Sequence, residues 1–477
     1  MVRSCRLALL ALALALLAAP PAGAGGLPKP VAEALRAAGV PETAVSIVVQ
    51  EVGAPRPSLR LNDSVAMNPA SVMKLVTTYA ALELLGPSYH WKTEAYATGP
   101  LRDGVLEGDL VLKGYGDPHL DFEGFWILLR QLRGKGLREI RGDLVLDRSY
   151  FAPVAGNPGD FDGEATRPYN VLPDALLVHY KSIRFVFVPE ADRGEVRVYT
   201  EPTPPGLEVT NHLRLWGGRC VDGKAFRSLI APSFNAGPPP HATFDGLYPA
   251  ECGEKDLSVA FLPPDAQVGG IFGELWREIG GAWSGRVREG LVPEGAVLLH
   301  SRESAPLAEI VRDINKYSNN VMARQLYLTL AASAYEPPLT TEQSREVVRH
   351  WLNLKGIAAP ELTIDNGAGL SRTDRVSAAT LAALLQAAWK SAVMPEYVAS
   401  LPLAGMDGTM KKRLVGDPVA GQAHLKTGLL SDARAMAGYL LDARGRRQVV
   451  VMLMNHSNAP DADAANDALL RWVYEKN

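Results

Sequence analysis

Metal-ligand patterns, basic surfaces and long apolar runs are all missing from this sequence. Only three of its 477 residues are cysteine, and there is no CxxC, HExxH or clustered-histidine pattern, so a metal site has no support. The formal net charge of −3 provides no excess of basic residues for binding nucleic acid. Beyond the N-terminus, no apolar run reaches the roughly 20 residues that a membrane-spanning helix needs. These absences argue against a zinc protein, a nucleic-acid-binding protein and an internal membrane anchor.

The N-terminal residues have the order of a secretory signal peptide. Two arginines precede an apolar run from Leu7 to Ala19, which is too short to span a membrane, and a small-residue cleavage site follows at 22–24. We predict that residues 1–24 are removed and that the mature chain begins at Gly25. The chain would then cross the inner membrane into the periplasm.

Two cysteines, Cys220 and Cys252, remain after this removal. An even number of cysteines in an exported chain favours a disulfide between them. The alternative is a pair of buried thiols.

The predicted secondary structure of the remaining chain changes twice. Residues 44–51 look like a strand, residues 91–264 contain many short β-type runs separated by Gly, Pro and Asp, and residues from about 266 are again helical. Three further strand-like runs begin at Gln422, Ala433 and Arg446. We predict an α/β fold in which these three runs and residues 44–51 form one antiparallel sheet flanked by helices. The predicted division is 25–90 and 265–477 for the two parts of a split domain, with residues 91–264 as an inserted β-rich region of two subdomains.

The inserted region has an internal duplication. The pentad GDLVL occurs at 108–112 and again at 142–146. Together with the short, punctuated runs, it predicts antiparallel pairing and duplicated hairpins.

One apolar helix carries an unexpected pair of polar residues. The segment MNPASVMKLVTTYAALELLG (67–86) has no polar face, which is typical of a buried helix. Residues three apart lie on the same side of a helix, so Ser71 and Lys74 should meet in the interior. A buried ammonium costs several kcal/mol or loses its proton, so Lys74 needs a partner or a chemical role. The alternative is a chance pair.

Two later segments supply what a serine nucleophile needs. YSNN (317–320) follows a periodic helix, and HLKTGLL (424–430) places a lysine and a glycine within a strand. Taken singly, they are typical of a loop and of a charged edge strand. Together with Ser71 they suggest acyl transfer, in which Lys74 is the base, its pKa lowered by burial and by Lys426. Gly428 would let a substrate backbone lie along the strand. No GxSxG elbow or recognisable His-Asp arrangement offers another serine mechanism.

The order S-x-x-K, S-x-N, K-T-G resembles that of penicillin-binding proteins and serine β-lactamases. Further similarity identifies the chain with one branch, the class C low-molecular-mass penicillin-binding proteins, which are D-alanyl-D-alanine carboxypeptidase/endopeptidases. This similarity includes GYGDPHL (114–120), RGDLVLDRSYF (141–151), RPYNVLPDALLV (167–178), DNGAGLSR (365–372), GMDGTMKKRL (405–414) and AGYLLD (437–442).

The resemblance implies a role for each motif residue. Ser71 would be the acylated nucleophile and Lys74 its general base. Ser318 would relay a proton to the leaving amine, and Asn320 would bind the substrate amide. The other implied substrate contacts are Lys426 and Thr427 at the terminal carboxylate, the backbone N–H groups of Ser71 and Leu429 as the oxyanion hole, Gly428 beside them, and Arg372 near the substrate side chain. No metal or cofactor is implied.

The implied activity is hydrolysis of D-Ala-D-Ala in peptidoglycan peptides, with cleavage of D-Ala-diaminopimelate cross-links as a further activity and acylation by β-lactam antibiotics. A β-lactamase and a catalytically silent wall-binding protein are the alternatives. The chain departs from the family pattern at Leu429, where Ser or Thr is usual, at Ala368, and in the stretch SDARAM (431–436). These departures concern substrate detail rather than reaction class.

Overall fold

The computed structural model describes residues 26–204 and 206–476. The predicted signal peptide, residues 1–24, lies outside the described residues. Among those described, no helix combines the length and apolar character needed to cross a membrane.

The strands, in chain order, are β1 (Val45–Glu51), β2 (Leu59–Leu61), β3 (Lys92–Ala97), β4 (Leu101–Arg102), β5 (Val105–Leu106), β6 (Leu110–Gly114), β7 (Glu139–Ile140), β8 (Leu144–Asp147), β9 (Ile183–Glu190), β10 (Glu195–Glu201), β11 (Glu208–Asn211), β12 (Arg214–Trp216), β13 (Pro232–Asn235), β14 (His241–Phe244), β15 (Leu247–Pro249), β16 (Lys255–Val259), β17 (Ala282–Trp283), β18 (Val287–Glu289), β19 (Val297–Glu303), β20 (Ala423–Leu430), β21 (Ala433–Leu441) and β22 (Arg447–Asn455). The α-helices are α1 (Lys29–Ala37), α2 (Lys74–Leu84), α3 (Phe122–Gly134), α4 (Gly223–Ile230), α5 (Pro264–Glu278), α6 (Leu307–Tyr317), α7 (Asn320–Thr329), α8 (Thr341–Leu354), α9 (Ala378–Trp389), α10 (Met394–Ser400) and α11 (Asp463–Lys476).

One five-stranded antiparallel sheet joins the two ends of the chain, in the order β2-β1-β22-β21-β20. Both of its faces are buried, as β22 illustrates: Val449, Val451 and Leu453 enter one hydrophobic core, whereas Val450 and Met452 enter another. Helices α2 and α6 to α10 contribute to the first core, and α1 and α11 to the second. The predicted α/β class, with an antiparallel sheet flanked by helices, is therefore confirmed.

The inserted region contains parallel as well as antiparallel pairs, which the sequence did not predict. The two GDLVL copies lie side by side as the parallel strands β6 and β8, with Leu110 opposite Leu144, and α3 lies between them in the chain. The prediction of duplicated antiparallel hairpins was wrong, because the alternation of side chains along a strand does not encode its direction. Crossover connections of this kind usually contain a helix.

Sheet pairing crosses the boundary predicted at residue 264. Strands β17, β18 and β19 come after that residue and pair with β7, β8 and β3, respectively. We propose that the inserted region extends to about residue 303, the end of β19.

A second, smaller part of the inserted region has its own aromatic core. Strands β9 to β16 form three small sheets around Phe185, Phe187, Phe244 and Tyr248, all of which are buried. The bond between Cys220 and Cys252 lies in this part, so the predicted disulfide is present in the structure.

Candidate active site

Ser71 lies on a constrained turn at the start of α2. The turn is a 3-10 helix, Ala70–Met73, and the α-helix proper begins only at Lys74. The side-chain oxygen of Asn68 accepts a hydrogen bond from the Ala70 N–H at 2.9 Å. Ala70 is buried and has a φ of 48°, which a non-glycine residue adopts only at an energetic cost. This turn leaves Ser71 partly exposed above a buried helix.

The Nζ of Lys74 is fully buried and contacts three oxygen atoms. It lies 2.9 Å from Ser71 Oγ, 2.6 Å from Asn320 Oδ1 and 2.6 Å from the Ala368 carbonyl oxygen. Burial lowers the pKa of Lys74 well below its ordinary value, and the positive charges of Lys426 and Arg324 lower it further. A neutral amine at this place can donate to the two carbonyl oxygens and accept the proton of the Ser71 hydroxyl.

Lys426 is a second buried lysine with a different set of partners. Its Nζ donates to Ser318 Oγ at 2.9 Å and to the Thr427 carbonyl oxygen at 2.8 Å, and burial lowers its pKa to about 7. Ser318 follows the last residue of α6 and has a φ of 57°, whereas Asn320 begins α7. The S-x-N motif thus occupies the junction between two helices, which orients both side chains toward the lysines.

The K-T-G strand runs directly alongside the Ser71 turn. β20 is an edge strand of the five-stranded sheet. A methyl group at Gly428 would lie 2.7 Å from the Pro69 carbonyl oxygen and 3.0 Å from the Ser71 nitrogen, so only glycine allows this approach. The pairing of β20 with β21 continues without a bulge through Leu429, whose side chain is exposed. Close backbone approach, rather than a bulge, is thus the reason for the glycine.

Arg372 lies at the rim of the site rather than beside Ser71. Its guanidinium binds Ser431 Oγ at 3.1 Å and Asp432 Oδ1 at 3.0 Å, and it stacks over Phe161 of the inserted region. A cavity of about 610 Å³ opens next to it and is lined by parts of the inserted region and of the split domain.

Several residues at the site were not identified from the sequence. Thr409 Oγ1 lies 2.9 Å from Thr427 Oγ1, and the buried Arg324 and Asp374 act electrostatically on Lys74. Arg324 is one helical turn after Asn320, a spacing that could have drawn attention to it. Asp374 has no comparable signal, because its place next to Lys74 depends on a long-range fold contact.

Comparison with known proteins gives a family match over nearly the whole chain. The sequence model of the D-Ala-D-Ala carboxypeptidase 3 (S13) family matches residues 27–476. The D-alanyl-D-alanine carboxypeptidase DacB of Haemophilus influenzae is 25% identical over 87% of this chain and 86% of its own length. A D-alanyl-D-alanine carboxypeptidase of an Actinomadura species is 29% identical over 84% of this chain and 76% of its own length.

A solved structure has the same fold. Penicillin binding protein 4 of H. influenzae superposes with a TM-score of 0.76 at 23% identity, over 92% of this chain and 99% of the other. The same protein in complex with a β-lactam gives a TM-score of 0.73 at 24% identity, over 93% of this chain and 99% of the other.

Proposed function

Because this chain belongs to the D-Ala-D-Ala carboxypeptidase 3 (S13) family, we propose that it cleaves D-Ala-D-Ala peptides through an acyl-enzyme on Ser71. It is a serine-type carboxypeptidase, and the resemblance found in its motifs is confirmed. The observation that carries the assignment of residues is the contact between the buried Nζ of Lys74 and Ser71 Oγ.

In the acylation step, Lys74 removes the hydroxyl proton of Ser71 as Oγ attacks the carbonyl carbon of the penultimate D-Ala. The two fixed carbonyl acceptors, on Asn320 and Ala368, leave the amine lone pair directed at the serine. The backbone N–H groups of Ser71 and Leu429 stabilise the oxyanion that forms. When the C–N bond breaks, the proton passes through Ser318 to the departing D-Ala amine. Water then cleaves the ester, releasing the shortened peptide and restoring the Ser71 hydroxyl.

In this proposal, the K-T-G strand binds the C-terminal end of the substrate. Lys426 uses two of its three N–H donors within the protein, which leaves the third for the terminal carboxylate. Thr427 adds a hydroxyl, and the edge of β20 near Gly428 offers backbone groups to an extended peptide. Arg372 stands at the mouth of the 610 Å³ cavity, where the side chain of the preceding residue would lie.

The substrate we propose is the stem peptide of peptidoglycan, in the periplasm after removal of residues 1–24. A relative in Dictyostelium discoideum is named a penicillin-sensitive carboxypeptidase, and the H. influenzae structure contains a β-lactam. We therefore propose that β-lactam antibiotics acylate Ser71. The cavity next to Arg372 has room for a large side chain on the residue that precedes D-Ala. We propose cleavage of D-Ala-diaminopimelate cross-links as a second activity, in which the acceptor diaminopimelate leaves in place of the terminal D-Ala.

Labelled penicillin tests the function. Purified protein should retain the label through denaturation and release it slowly, whereas Ser71→Ala should take up none and keep its fold by circular dichroism. Rapid loss of the label from the wild type would instead indicate a β-lactamase. Failure of the wild type to label would indicate a silent wall-binding protein and contradict the proposal.

A further inference from the structure

The loop of residues 365–374 packs against helix α2 and contacts Lys74. It places the Ala368 carbonyl oxygen 2.6 Å from Lys74 Nζ and the Gly367 carbonyl oxygen 2.7 Å from Thr77 Oγ1. The next glycine, Gly369, packs so closely that a methyl group there would overlap the Ala70 carbonyl oxygen. The conformation of this loop therefore fixes the position of the Ala368 carbonyl oxygen, one of the three hydrogen-bond partners of Lys74 Nζ.

Asp374 closes this loop. Its Oδ1 accepts the backbone N–H of Asp365 at 2.7 Å, which joins the first residue of the loop to the last. The side chain is fully buried, and its Oδ2 has no hydrogen-bond partner among the described residues. A buried carboxyl group with one unsatisfied oxygen is costly for stability, which calls for a functional explanation.

We propose that Asp374 is a positioning residue for Lys74, holding the 365–374 loop against it and placing a carboxyl group near its amine. The proposal rests on the role of Lys74 as base. It adds a second group, from a different part of the chain, that controls the protonation of that base.

The charges around this pair determine the sign of the effect. Lys74 is influenced by Lys426 and Arg324, which favour its neutral form, and by Asp374, which favours the ammonium. Asp374 in turn is influenced by Asp365, Lys74 and Arg375, and burial raises its pKa to about 7. The carboxylate of Asp374 and the ammonium of Lys74 stabilise each other wherever both are charged. A permanently neutral side chain at position 374 should make Lys74 lose its proton at lower pH.

Acylation by penicillin, followed from about pH 5 to pH 9 on folded protein, tests the proposal. Asp374→Asn keeps an acceptor for the Asp365 N–H but removes the charge. We expect its high-pH rate to stay within about threefold of wild type while the acidic limb of the profile moves measurably to lower pH, by roughly half a pH unit to one pH unit. Asp374→Ala also loses the acceptor and should lose about tenfold or more at every pH.

Asp365→Asn is the matched control, because it removes an exposed carboxylate from the same loop. Its acidic limb should not move to lower pH, because loss of the Asp365 charge lowers the pKa of Asp374 and so favours the Lys74 ammonium. The proposal is overturned if the Asp374→Asn limb does not move to lower pH relative to the wild type, or if Asp365→Asn moves it equally far in that direction, whatever the Asp374→Ala protein does. Failure of the proposed base would be seen separately, as normal acylation by Lys74→Arg.

Discussion

Two fully buried lysines, Lys74 and Lys426, lie at the candidate site, and their different hydrogen-bond partners suit different tasks. Lys74 has two carbonyl acceptors and one hydroxyl around its Nζ, an arrangement that suits a neutral amine with its lone pair toward Ser71. Lys426 contacts one hydroxyl and one carbonyl and has a donor to spare. In the proposed mechanism, Lys74 moves a proton and Lys426 offers a positive charge.

Removal of Lys426 should mainly affect substrates that carry a free terminal carboxylate. We expect Lys426→Ala to lower kcat/KM for D-Ala-D-Ala peptides by about thirtyfold or more, or about 2 kcal/mol, because a charged hydrogen bond is lost. Peptides with an amidated terminus should lose about threefold or less. Lys390→Ala, at an exposed position after α9, is the control. Equal losses on both peptides would mean that Lys426 does not bind the carboxylate.

The pKa of Lys426 predicts a pH dependence for the same contact. Burial lowers this pKa to about 7, so in the free enzyme the ammonium predominates below that pH and the neutral amine above it. The ratio of kcat/KM for free-acid over amidated peptide should therefore fall as the pH rises through about 7, since kcat/KM reports the free enzyme. A ratio that is constant with pH would contradict the assignment.

The spacing of Ser71 and Lys74 was sufficient to predict their contact, because both positions are local to one helical turn. Arg324 and Asp374 could not be found in this way. Their importance comes from burial beside Lys74, and burial of a charged residue depends on packing between distant segments. The pattern of a sequence contains no direct record of such packing.

At the scale of elements, the site is the place where an edge strand passes the start of a helix. A Cβ atom added to Gly428 of β20 would lie 2.7 Å from the Pro69 carbonyl oxygen and 3.0 Å from the Ser71 nitrogen, so strand and turn approach each other closely at this residue. The outer edge of β20 is bridged at its start, where Leu403 lies opposite His424, and among the described residues no strand pairs with it near Gly428, which leaves a cleft there for an extended substrate.

Any side chain at position 428 should push the strand away from the serine. In Gly428→Ala, the methyl group would meet backbone atoms at 2.7 Å and 3.0 Å, and backbone atoms cannot rotate aside. We expect the acylation rate to fall by about tenfold or more with little change in thermal stability. Gly134→Ala, where a methyl group meets nothing within 4 Å, should leave the rate unchanged. A normal rate in Gly428→Ala would show that this spacing is not required.

The positions of the clearest strands were predicted well from the sequence, but the relative direction of paired strands was not. Strands β1 and β20 to β22 lie close to the strand-like runs predicted at 44–51 and from Gln422, Ala433 and Arg446. Helix α3 was overlooked because its apolar positions, such as Phe125 and Leu129, lie between two strong β signals. Without that helix, the two GDLVL strands read as hairpins rather than as a parallel pair.

At the scale of the whole molecule, the inserted region is hydrogen-bonded to helix α7, which begins at Asn320 of the candidate site. Arg324 donates to the Asn170 and Val171 carbonyl oxygens, and Gln325 exchanges two hydrogen bonds with the backbone of Asp174. The disulfide lies elsewhere, in the part of the insertion that has its own aromatic core. Stability of that part and chemistry at Ser71 should therefore be separable.

Reduction of the Cys220–Cys252 bond tests this separation. Its loss should destabilise the protein by about 3 to 4 kcal/mol in the chain-entropy description, so thermal unfolding should begin at lower temperature. The rate of penicillin acylation at 25 °C should stay within about twofold. The paired Cys220→Ser, Cys252→Ser variant should behave in the same way. Two free thiols in the unreduced, denatured protein would refute the bond.

The central claim of the whole account is that Lys74 acts as a neutral amine, and its replacement by arginine tests this most directly. Lys74→Arg keeps the positive charge, but a guanidinium group does not give up its proton at working pH. The measurement is the acylation rate of folded Lys74→Arg by penicillin against that of wild type. We predict a loss of far more than tenfold. A rate within about tenfold, or 1.4 kcal/mol of barrier, would mean that Lys74 is a structural cation and not the base.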